Sequence, residues 1–401
     1  MNPTILFVGG EDHHLRIPFL LGLRDRGFNV KAAGTGDGSE FAQNKLDYVG
    51  FQFNRFINPL ADVTAVRALT DLIGKAAPDL VHSFDTKPNL LVPFAVRKLR
   101  NISAVRTING LGWVYSSRSP LAMIARPIFC GLHRLANRSV TATAFQNRED
   151  QSFFARNRMV SPGTHRLIPG SGIDIEKFDA ARRAGPTPAQ LRAELGLEGR
   201  EVVVTVTRLT RQKGIPALLD AAAIVHKVRP NVRFVLVGPR ESEGPLAVTQ
   251  AEIDRHAPYV MAIGARRDVP SVLGMADVFA FPTEYREGVP RALMEAGLAG
   301  LPLVATNMPG CSDVVRDGWN GFMVPPRDSQ AFAARVLDLL NNRDMAREMG
   351  AHTPALVRTE FSLDKILDHY VAMYAELLSH RPALASDLAM RRQSNSEALL
   401  Q

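Results

Sequence analysis

The feature that most constrains the fold of this chain is the alternation, in both halves, of short β-branched runs with segments whose apolar residues recur at helical spacing. Apolar runs without polar alternation are typical of strands buried on both faces, and strands that alternate with helices predict parallel sheets covered by helices. The predicted strands are 4–8, 29–33, 80–84, 104–108, 140–145 and 166–168 in the first half and 202–207, 233–237, 259–263, 278–281, 303–305 and 322–324 in the second. We therefore expect an α/β protein with two doubly wound parallel-sheet, Rossmann-like domains.

A loose stretch between the halves marks the predicted domain border. Residues 176–200 contain AARRAGPTPAQ, which is typical of a linker followed by a helix start. We assign residues 1–172 to an N-terminal domain and 173–361 to a C-terminal domain, followed by a last helix at about 362–380. The polar residues 381–401 are expected to form a flexible tail.

Two cations follow a predicted strand in the second half. Arg208 and Lys213 lie in TRLTRQKG, between the run EVVVTVTRL and a segment with helical spacing. Open parallel sheets bind ligands at the carboxyl ends of their strands. A guanidinium grips phosphate oxygens with two parallel donors, and an ammonium acts beside it as a compact charge. The pair suits a pyrophosphate, although an isolated pair of this spacing is more often a solvated basic loop.

Two carboxylates follow another predicted strand, ADVFAFPT, in the segment EGVPRALMEA. Glu287 precedes a predicted helix and Glu295 lies about a turn and a half inside it. Pro290 suits the first helical position, and the amides of Gly288 and Val289 would form an anion site at the helix start. Cations for a pyrophosphate together with carboxylates for sugar hydroxyls predict a nucleotide-sugar site.

Several longer motifs resemble one family. RLTRQKG, FVLVGP, YREGVPRALMEAGLAGLPLVAT and PGCSDVVRDGWNGFMVPPRD are similar to the donor half of the retaining glycosyltransferase family 4, which has the GT-B fold. IPGSGIDIEKF, DLVHSFDTKPN and TINGLGWVYSS most resemble members that extend polyprenyl-pyrophosphate-linked glycans. The resemblance covers nearly the whole chain. It implies two domains facing across a cleft, an N-terminal one for the acceptor and a C-terminal one for the donor, with the last helix packing back on the first.

The resemblance also implies roles for matching positions. Arg208 and Lys213 would hold the donor pyrophosphate and stabilise the charge on the leaving phosphate, while Glu287 would bind donor sugar hydroxyls. These three are the predicted catalytic residues. The other donor-binding positions implied in this half are Glu295 for the ribose and the amides of Gly288 and Val289 for the distal phosphate.

In the first domain, the glycine-rich turn formed by Gly9, Gly10 and Glu11 matches a turn that approaches the donor in this family, which makes Gly10 a predicted donor contact. Many members place a histidine where this chain has Asn109, and an amide can hydrogen-bond a hydroxyl but cannot accept a proton. Asn109, Asp85 and Glu11 are predicted acceptor or sugar contacts. The family's front-face mechanism, in which the donor phosphate takes the acceptor proton, needs no base at Asn109.

Charge is unevenly distributed. Residues 1–172 hold 21 Lys or Arg against 12 Asp or Glu, whereas the rest hold 27 against 28. Residues 86–148 contain ten basic residues and no acidic one. Within them, residues 113–138 mix arginines with apolar side chains, as in a helix lying on an anionic membrane or in a domain helix with a solvated basic edge. No recognised nucleic-acid-reading motif accompanies the charge.

Composition favours a cytoplasmic protein associated peripherally with the membrane. We find no signal-peptide pattern and no uncharged apolar stretch of roughly 18 residues, so neither secretion nor a membrane span is expected. The chain has two cysteines, Cys130 and Cys311, which fit a reducing compartment. Neither the adjacent His13 and His14 nor any Cys spacing predicts a metal site, and GTGDGS at residues 34–39 lacks the spacing of a dinucleotide loop. We expect no cofactor and no metal.

The sequence therefore predicts a retaining glycosyltransferase that moves a hexose-type sugar, with UDP as the preferred nucleotide, to a lipid-linked glycan in surface polysaccharide or glycan biosynthesis. A glycosyltransferase with a soluble acceptor is the main alternative. A UDP-sugar epimerase would need acid and base carboxylates, for which only Asp85 and Glu11 are placed. A sugar-nucleotide binding module without turnover is also consistent with these residues.

Overall fold

The computed structural model describes residues 2–53, 58–99, 101–117 and 119–379. The chain divides into two compact units, one formed by residues 1–109, 124–172 and 363 onward, and the other by residues 110–123 and 173–362. The predicted domains differ from these units at residues 110–123, because a compact unit is defined by packing and not by chain continuity. The predicted tail at 381–401 lies outside the described residues.

The first unit contains a parallel sheet. Within the described residues its strands are β1 (Thr4–Val8), β2 (Asn29–Gly34), β3 (Asp47–Gly50), β4 (Leu80–Ser83), β5 (Ser103–Ile108), β6 (Ala142–Phe145) and β7 (His165–Leu167). Their spatial order is β3-β2-β1-β4-β5-β6-β7, and every neighbouring pair is parallel. The strand order reverses direction between β1 and β4, which makes the ends of these two strands the switch point of the sheet.

The second unit repeats this arrangement. Its described strands are β8 (Glu201–Val206), β9 (Val232–Val237), β10 (Val260–Ala262), β11 (Val278–Phe281), β12 (Leu303–Thr306) and β13 (Gly321–Val324). They are arranged in the order β10-β9-β8-β11-β12-β13, again all parallel. The switch point lies between β8 and β11. The two Rossmann-like sheets confirm the predicted fold class.

Helices cover the faces of both sheets. In chain order the described helices are α1 (Ile17–Asp25), α2 (Ser39–Gln43), α3 (Pro59–Ala76), α4 (Pro88–Val96), α5 (Gly112–Ser116), α6 (Pro120–Asn137), α7 (Arg148–Arg156), α8 (Ile175–Ala184), α9 (Pro188–Glu194), α10 (Ile215–Val228), α11 (Gln250–Asp254), α12 (Val269–Gly274), α13 (Arg291–Leu298), α14 (Cys311–Val314), α15 (Ser329–Asn341), α16 (Arg343–Glu360) and α17 (Leu363–Leu378). Each sheet carries a hydrophobic core on both of its faces. Such double burial explains why the strands are apolar throughout.

Helix α17 packs in the core of the first unit. Its Tyr374 hydroxyl lies 2.5 Å from Nδ1 of His82 on β4, and its Tyr370 hydroxyl lies 2.9 Å from Oγ1 of Thr107 on β5. All four side chains are buried, so each polar atom that enters the core is satisfied by another. The last helix of the chain is thereby fixed to the central strands of the first sheet.

Two parts of the fold differ from the sequence prediction. β3 was not predicted, because its four residues are exposed or only partly buried and form no apolar run. The stretch 176–200 was predicted as a linker followed by a helix start; the helix start is that of α9, but α8 was not predicted. Asp174 caps α8 through the amide of Lys177, and Thr187 forms a capping box with Gln190 at the start of α9.

Both cysteines are buried and free of disulfides. They pack as small apolar residues, as the sequence predicts. None of the helices within the described residues combines the length and apolar character needed to cross a bilayer.

Candidate functional site

The predicted donor residues lie at the switch point of the second sheet. β8 and β11 are neighbours there, and the chain leaves their carboxyl ends in two loops, residues 207–214 and 282–290. Gly214 has a φ of 69°, and a Cβ at this position would lie 1.9 Å from the carbonyl oxygen of Pro282. Any other residue would clash with the backbone, so this glycine allows the two loops to meet.

An ion pair joins the two loops. Nζ of Lys213 pairs with Oε1 of Glu287, which also accepts a hydrogen bond of 3.2 Å from Oγ1 of Thr283. Nζ of Lys213 lies 5.2 Å from the ring centroid of Tyr285. The Lys213 and Glu287 side chains are 11% and 16% exposed, so both charges are held in a partly desolvated position. The structure therefore brings together two of the three predicted catalytic residues.

Arg208 makes an ion pair with a different carboxylate. Its Nη1 donates to Oε2 of Glu243 over 3.1 Å, and its side chain is 44% exposed, whereas that of Glu243 is 13% exposed. Arg211, in the same loop, pairs with Glu252 at 2.6 Å. Sequence analysis missed Glu243, because 35 residues separate it from Arg208 and no motif marks it. The guanidinium is thus accessible from solvent while one carboxylate holds it.

The segment before α13 contains the residues of the predicted anion site. The helix begins at Arg291, so Pro290 is the N-cap and not, as predicted, the first helical residue. Gly288 and Val289 are buried, and Glu295 accepts a 2.8 Å hydrogen bond from Arg291 one turn earlier. No described side chain caps the first turn. The anion site predicted for the amides of Gly288 and Val289 stays a prediction.

The first sheet carries a different cluster at its own switch point. Oδ2 of Asp85 accepts a 2.9 Å hydrogen bond from the amide of Gly10, and Oδ1 accepts from Nη2 of Arg16 at 2.8 Å and from Nδ2 of Asn109 at 3.0 Å. Glu11 follows Gly10 as the first residue of a 3-10 helix (Glu11–Arg16), but its side chain lies outside the described part of the structure. Gly10, Asp85 and Asn109 are thus brought together.

The electrostatics of Asp85 define its role. Burial opposes ionisation of this carboxyl, but Arg16 and the hydrogen bonds from Gly10 and Asn109 outweigh it and lower the pKa of Asp85. An ionised carboxylate whose two oxygens already accept three donors cannot supply a proton near neutral pH. The geometry therefore makes Asp85 the residue that positions the Gly10 loop, and it disfavours the acid role that an epimerase would require.

Among the described residues, no group of three or more His, Cys, Asp or Glu side chains could hold a metal ion. Whether the reaction needs a metal is not decided by this, and the expectation of none stays a prediction.

Two family models match this chain. Glycosyltransferase Family 4 matches residues 19–164, and Glycosyl transferases group 1 matches residues 189–355. Together they span the greater part of both units. The chain is a family 4 glycosyltransferase.

Three relatives of this glycosyltransferase have lipid-linked acceptors in their names. A GDP-mannose-dependent phosphatidylinositol monomannoside mannosyltransferase of Mycolicibacterium smegmatis is 30% identical over 73% of this chain and 75% of its own length. The UDP-Gal:α-D-GlcNAc-diphosphoundecaprenol α-1,3-galactosyltransferase of Escherichia coli is 26% identical over 80% and 82%. An N,N'-diacetylbacillosaminyl-diphospho-undecaprenol α-1,3-N-acetylgalactosaminyltransferase of Campylobacter jejuni is 22% identical over 93% and 97%.

Solved structures show the same fold. HepE from Anabaena, crystallised with UDP-glucose, is 20% identical and superposes with a TM-score of 0.77 over 93% of this chain and 99% of its own. Sucrose-phosphate synthase from Thermosynechococcus elongatus, also 20% identical, gives a TM-score of 0.78 over 95% and 100%. The glycosyltransferase described here therefore has the GT-B fold, with two parallel-sheet Rossmann-like domains.

Proposed function

We propose that this glycosyltransferase transfers a hexose-type sugar from a UDP-sugar to a lipid-linked glycan, with retention at the anomeric carbon, in surface polysaccharide or glycan biosynthesis. The observation that carries the proposal is the Lys213–Glu287 pair at the switch point of the second sheet. A cation and a carboxylate at this edge match the two parts of a nucleotide sugar, its diphosphate and its hydroxyls.

The cations act on the leaving group. As the glycosidic bond to the donor breaks, negative charge builds on the departing diphosphate, and preorganised cations stabilise that charge more than they stabilise the substrate. Lys213 is held in place by Glu287 and is partly desolvated, which strengthens its field. Arg208 can take a bidentate grip on phosphate once it exchanges Glu243 for the ligand.

The two glutamates bind neutral groups of the donor. Glu287 contacts Lys213 and Thr283 through Oε1 at the carboxyl end of the second sheet. Its carboxylate would accept hydrogen bonds from hydroxyls of the donor sugar. Glu295, inside α13, would accept a ribose hydroxyl.

The acceptor proton requires no protein base in this scheme. Asn109 donates its amide to Asp85 and has no basic group. The front-face route, in which a departing phosphate oxygen takes the acceptor proton while the new bond forms on the same face, accounts for both retention and the absence of a base at Asn109.

Helix α6 supports the membrane-linked acceptor. One side of it is buried, including Ala125, Phe129 and His133. Elsewhere on its surface the helix exposes five large apolar side chains: Leu121, Met123, Ile124, Ile128 and Leu135. Apolar patches of this kind on a protein surface mark contacts with another protein or with a membrane.

The charge on and around α6 favours a membrane over another protein as the partner of its apolar side chains. Arg126, Arg134 and Arg138 belong to α6 and the residues directly after it, and residues 86–148 contain no carboxylate. The structure reduces the predicted basic set, because Arg106 is fully buried and Lys87 pairs with Asp62 at 2.6 Å. Arg100 and Arg118, also in that set, lie outside the described residues. An apolar helix face flanked by arginines suits the anionic leaflet of a bilayer.

The direct test is transfer. The full chain is incubated with UDP-galactose, UDP-glucose, UDP-N-acetylglucosamine or GDP-mannose, together with either a synthetic polyprenyl-diphosphate-linked N-acetylglucosamine or a water-soluble N-acetylglucosamine glycoside. We expect a product with a UDP-sugar and the lipid-linked acceptor, with the donor's anomeric configuration in its NMR spectrum. If GDP-mannose is the only donor turned over, the nucleotide of the proposed donor is GDP and not UDP. Equal turnover of the soluble glycoside would favour the soluble-acceptor enzyme.

The membrane contact is tested separately by sedimentation with vesicles. We expect the parent to sediment with anionic vesicles at low salt and to be released as salt shortens the Debye length. Arg126→Glu with Arg134→Glu should abolish sedimentation, because each arginine adds roughly 1 kcal/mol of attraction. Arg182→Glu with Arg183→Glu, two exposed arginines of α8, is the matched control. Equal loss in the control would attribute binding to net charge and not to α6.

A further inference from the structure

A segment outside the second sheet contacts residues 282–290, the Glu287 loop. The segment comprises residues 110–117, which follow β5 in the chain but belong to the second compact unit. Its Leu111 is fully buried, so the start of α5 is anchored in the protein interior. The segment can therefore act on the predicted donor residues of the second unit although it follows a strand of the first sheet.

Three consecutive amides hold the Glu287 loop. The amides of Glu284 and Tyr285 donate at 3.0 and 3.1 Å to acceptors within the two loops of the candidate site. The amide of Arg286 donates at 3.0 Å to Oγ of Ser116, the last residue of α5. Ser116 thus binds the loop from a separate element, at the residue that directly precedes Glu287.

Two glycines from other segments enclose the carbonyl groups of this loop. Gly110 has a φ of 109°, and a Cβ there would lie 2.4 Å from the carbonyl oxygen of Arg286 and 3.4 Å from its carbonyl carbon. Gly310 has a φ of 85°, and a Cβ there would lie 2.0 Å from the carbonyl oxygen of Gly288 and 2.8 Å from its carbonyl carbon. Each oxygen is nearer than its carbon, so each carbonyl points toward a glycine. A side chain at either position would clash with the loop.

The direction of these carbonyls sets the direction of the amides that follow them. In a planar trans peptide unit the C=O and N–H bonds point in opposite directions. The amide of Glu287 therefore points away from Gly110, and the amide of Val289 points away from Gly310. The Val289 amide is one of the two predicted to bind the distal phosphate. Contacts with two other segments thus orient the backbone on both sides of Glu287.

We propose that Ser116 is a positioning residue for the reaction, whose hydroxyl holds the Arg286 amide and thereby keeps the Glu287 carboxylate in place for the donor sugar. The inference rests on the proposed function, because the role of Glu287 belongs to it. Without the hydroxyl, the loop loses this attachment but keeps the packing of Gly310 against Gly288. The expected fault is therefore a misplaced carboxylate and not a lost phosphate site.

Kinetics on the full chain test this role. Ser116→Ala should lower kcat roughly tenfold, because a small misplacement of a group that contacts the reacting sugar is costly in the transition state. The KM for the UDP-sugar and the affinity for free UDP should stay within about twofold of the parent. Ser116→Thr keeps the hydroxyl and should restore most of kcat. This split between kcat and KM would not arise if Ser116 only stabilised the fold.

Ser119→Ala is the matched control. Oγ of Ser119 also accepts a backbone amide, that of Ala122 at 3.2 Å, but this amide lies at the start of α6 and not in the Glu287 loop. Its kcat should stay within about twofold of the parent. The unfolding temperature of each variant is measured first. If Ser116→Ala does not fold, Ser116→Cys, whose thiol is a weaker acceptor, replaces it.

Hydrogen–deuterium exchange gives a readout that does not depend on transfer. Exchange of residues 282–290 should be roughly tenfold faster in Ser116→Ala than in the parent and unchanged in Ser119→Ala, since one amide loses its acceptor. Unchanged exchange or unchanged kcat in the Ser116 variant, no rescue by threonine, or an equal loss of kcat in Ser119→Ala would each overturn the inference. So would a loss of UDP affinity as large as the loss of kcat.

Failure of the proposed function has a different signature. It appears in the parent, as absent transfer from every nucleotide sugar, whatever the variants do. Failure of the positioning role appears as a parent that transfers sugar while Ser116→Ala matches it in kcat and in exchange of the Glu287 loop.

Discussion

The two sheets place charged side chains at the same topological position, but they satisfy those charges differently. In the first, Asp85 is surrounded by donors of its own unit, from Gly10, Arg16 and Asn109. In the second, Lys213 and Glu287 pair with each other, and Arg208 stays 44% exposed. The first cluster is saturated and fixes a loop, whereas the second leaves the Arg208 guanidinium near solvent for an anionic ligand. The same strand order therefore supports a cluster that fixes a loop in the first sheet and a candidate binding site in the second. The difference lies in the groups that neutralise the charged side chains.

The largest effect is expected from the cations of the second cluster. Lys213→Met or Arg208→Met should lower kcat about 10²-fold or more, because each removes a preorganised charge from the leaving phosphate. Initial rates with the transfer substrates measure this. Arg211→Met is the matched control, since that arginine lies in the same loop but pairs with Glu252. Near-parental turnover in the double variant of Arg208 and Lys213 would refute the phosphate assignment.

The next effect concerns stability of the first cluster. Asp85→Asn should lower the free energy of unfolding by about 1–3 kcal/mol, because it leaves the mostly buried Arg16 without its counter-charge. Urea unfolding of the parent and the variant measures the difference. Asp25→Asn, whose carboxylate is exposed and 4.0 Å from Arg24, is a control expected to change little.

The pH dependence of this effect follows from the lowered pKa of Asp85. Because the folded-state pKa lies below the unfolded value of about 3.9, the stabilisation is fully present above that value and is lost as pH falls through the folded-state pKa. The stability difference between parent and Asp85→Asn should therefore be constant near neutral pH and shrink only in strong acid. A difference that shrinks already between pH 5 and 7 would contradict the ionised assignment.

A smaller effect separates the two glutamates. Glu287→Gln should mainly lower turnover, by about tenfold, since contacts to the reacting sugar strengthen in the transition state. Glu295→Gln should mainly weaken binding of free UDP, with turnover at saturation less affected. Steady-state kinetics and calorimetric titration with UDP measure the two effects. Glu284→Gln, in the same loop but paired with Arg327, is the control. UDP affinity unchanged in Glu295→Gln would remove its ribose role.

The smallest effect tests whether Glu243 competes with the ligand for Arg208. Glu243→Gln should raise the affinity for UDP by roughly threefold, because a partly exposed ion pair contributes at most about 1 kcal/mol that phosphate binding must offset. Calorimetric titration measures the change, and Glu252→Gln beside Arg211 serves as the control. Weaker binding in Glu243→Gln would show that the pair holds Arg208 in its productive position.

The strands show how far sequence reasoning reaches. β1 and β11 begin and end where the sequence predicts, because a short, continuous apolar run is typical of a strand that is buried on both faces of a sheet. β3 was not predicted, because its Val49 is exposed and the strand is held in the sheet by its pairing with β2. The helix start predicted within AARRAGPTPAQ is that of α9, where Thr187, Pro188 and Gln190 form a capping signature.

The residues of the candidate site also divide into those that the sequence predicts and those that only the structure shows. Lys213 and Glu287 could be predicted as neighbours, because each follows a strand and parallel strands end at one edge of a sheet. Thr283 could have been added to the predicted site residues, since it directly precedes the loop that contains Glu287. Glu243 and Arg16 could not have been predicted as parts of these clusters. Their partners, Arg208 and Asp85, lie 35 and 69 residues away in the chain, and no periodicity links them.

The sequence by itself determined the alternation of strands with helices, the two-sheet architecture and the residue types at most strand ends, because periodicity and local propensity are properties of neighbouring residues. Tertiary structure alone decided which charges meet and which carboxylate is saturated. The physical reason is that ion pairing and desolvation depend on distance and burial, and both arise only when segments far apart in the chain are packed together.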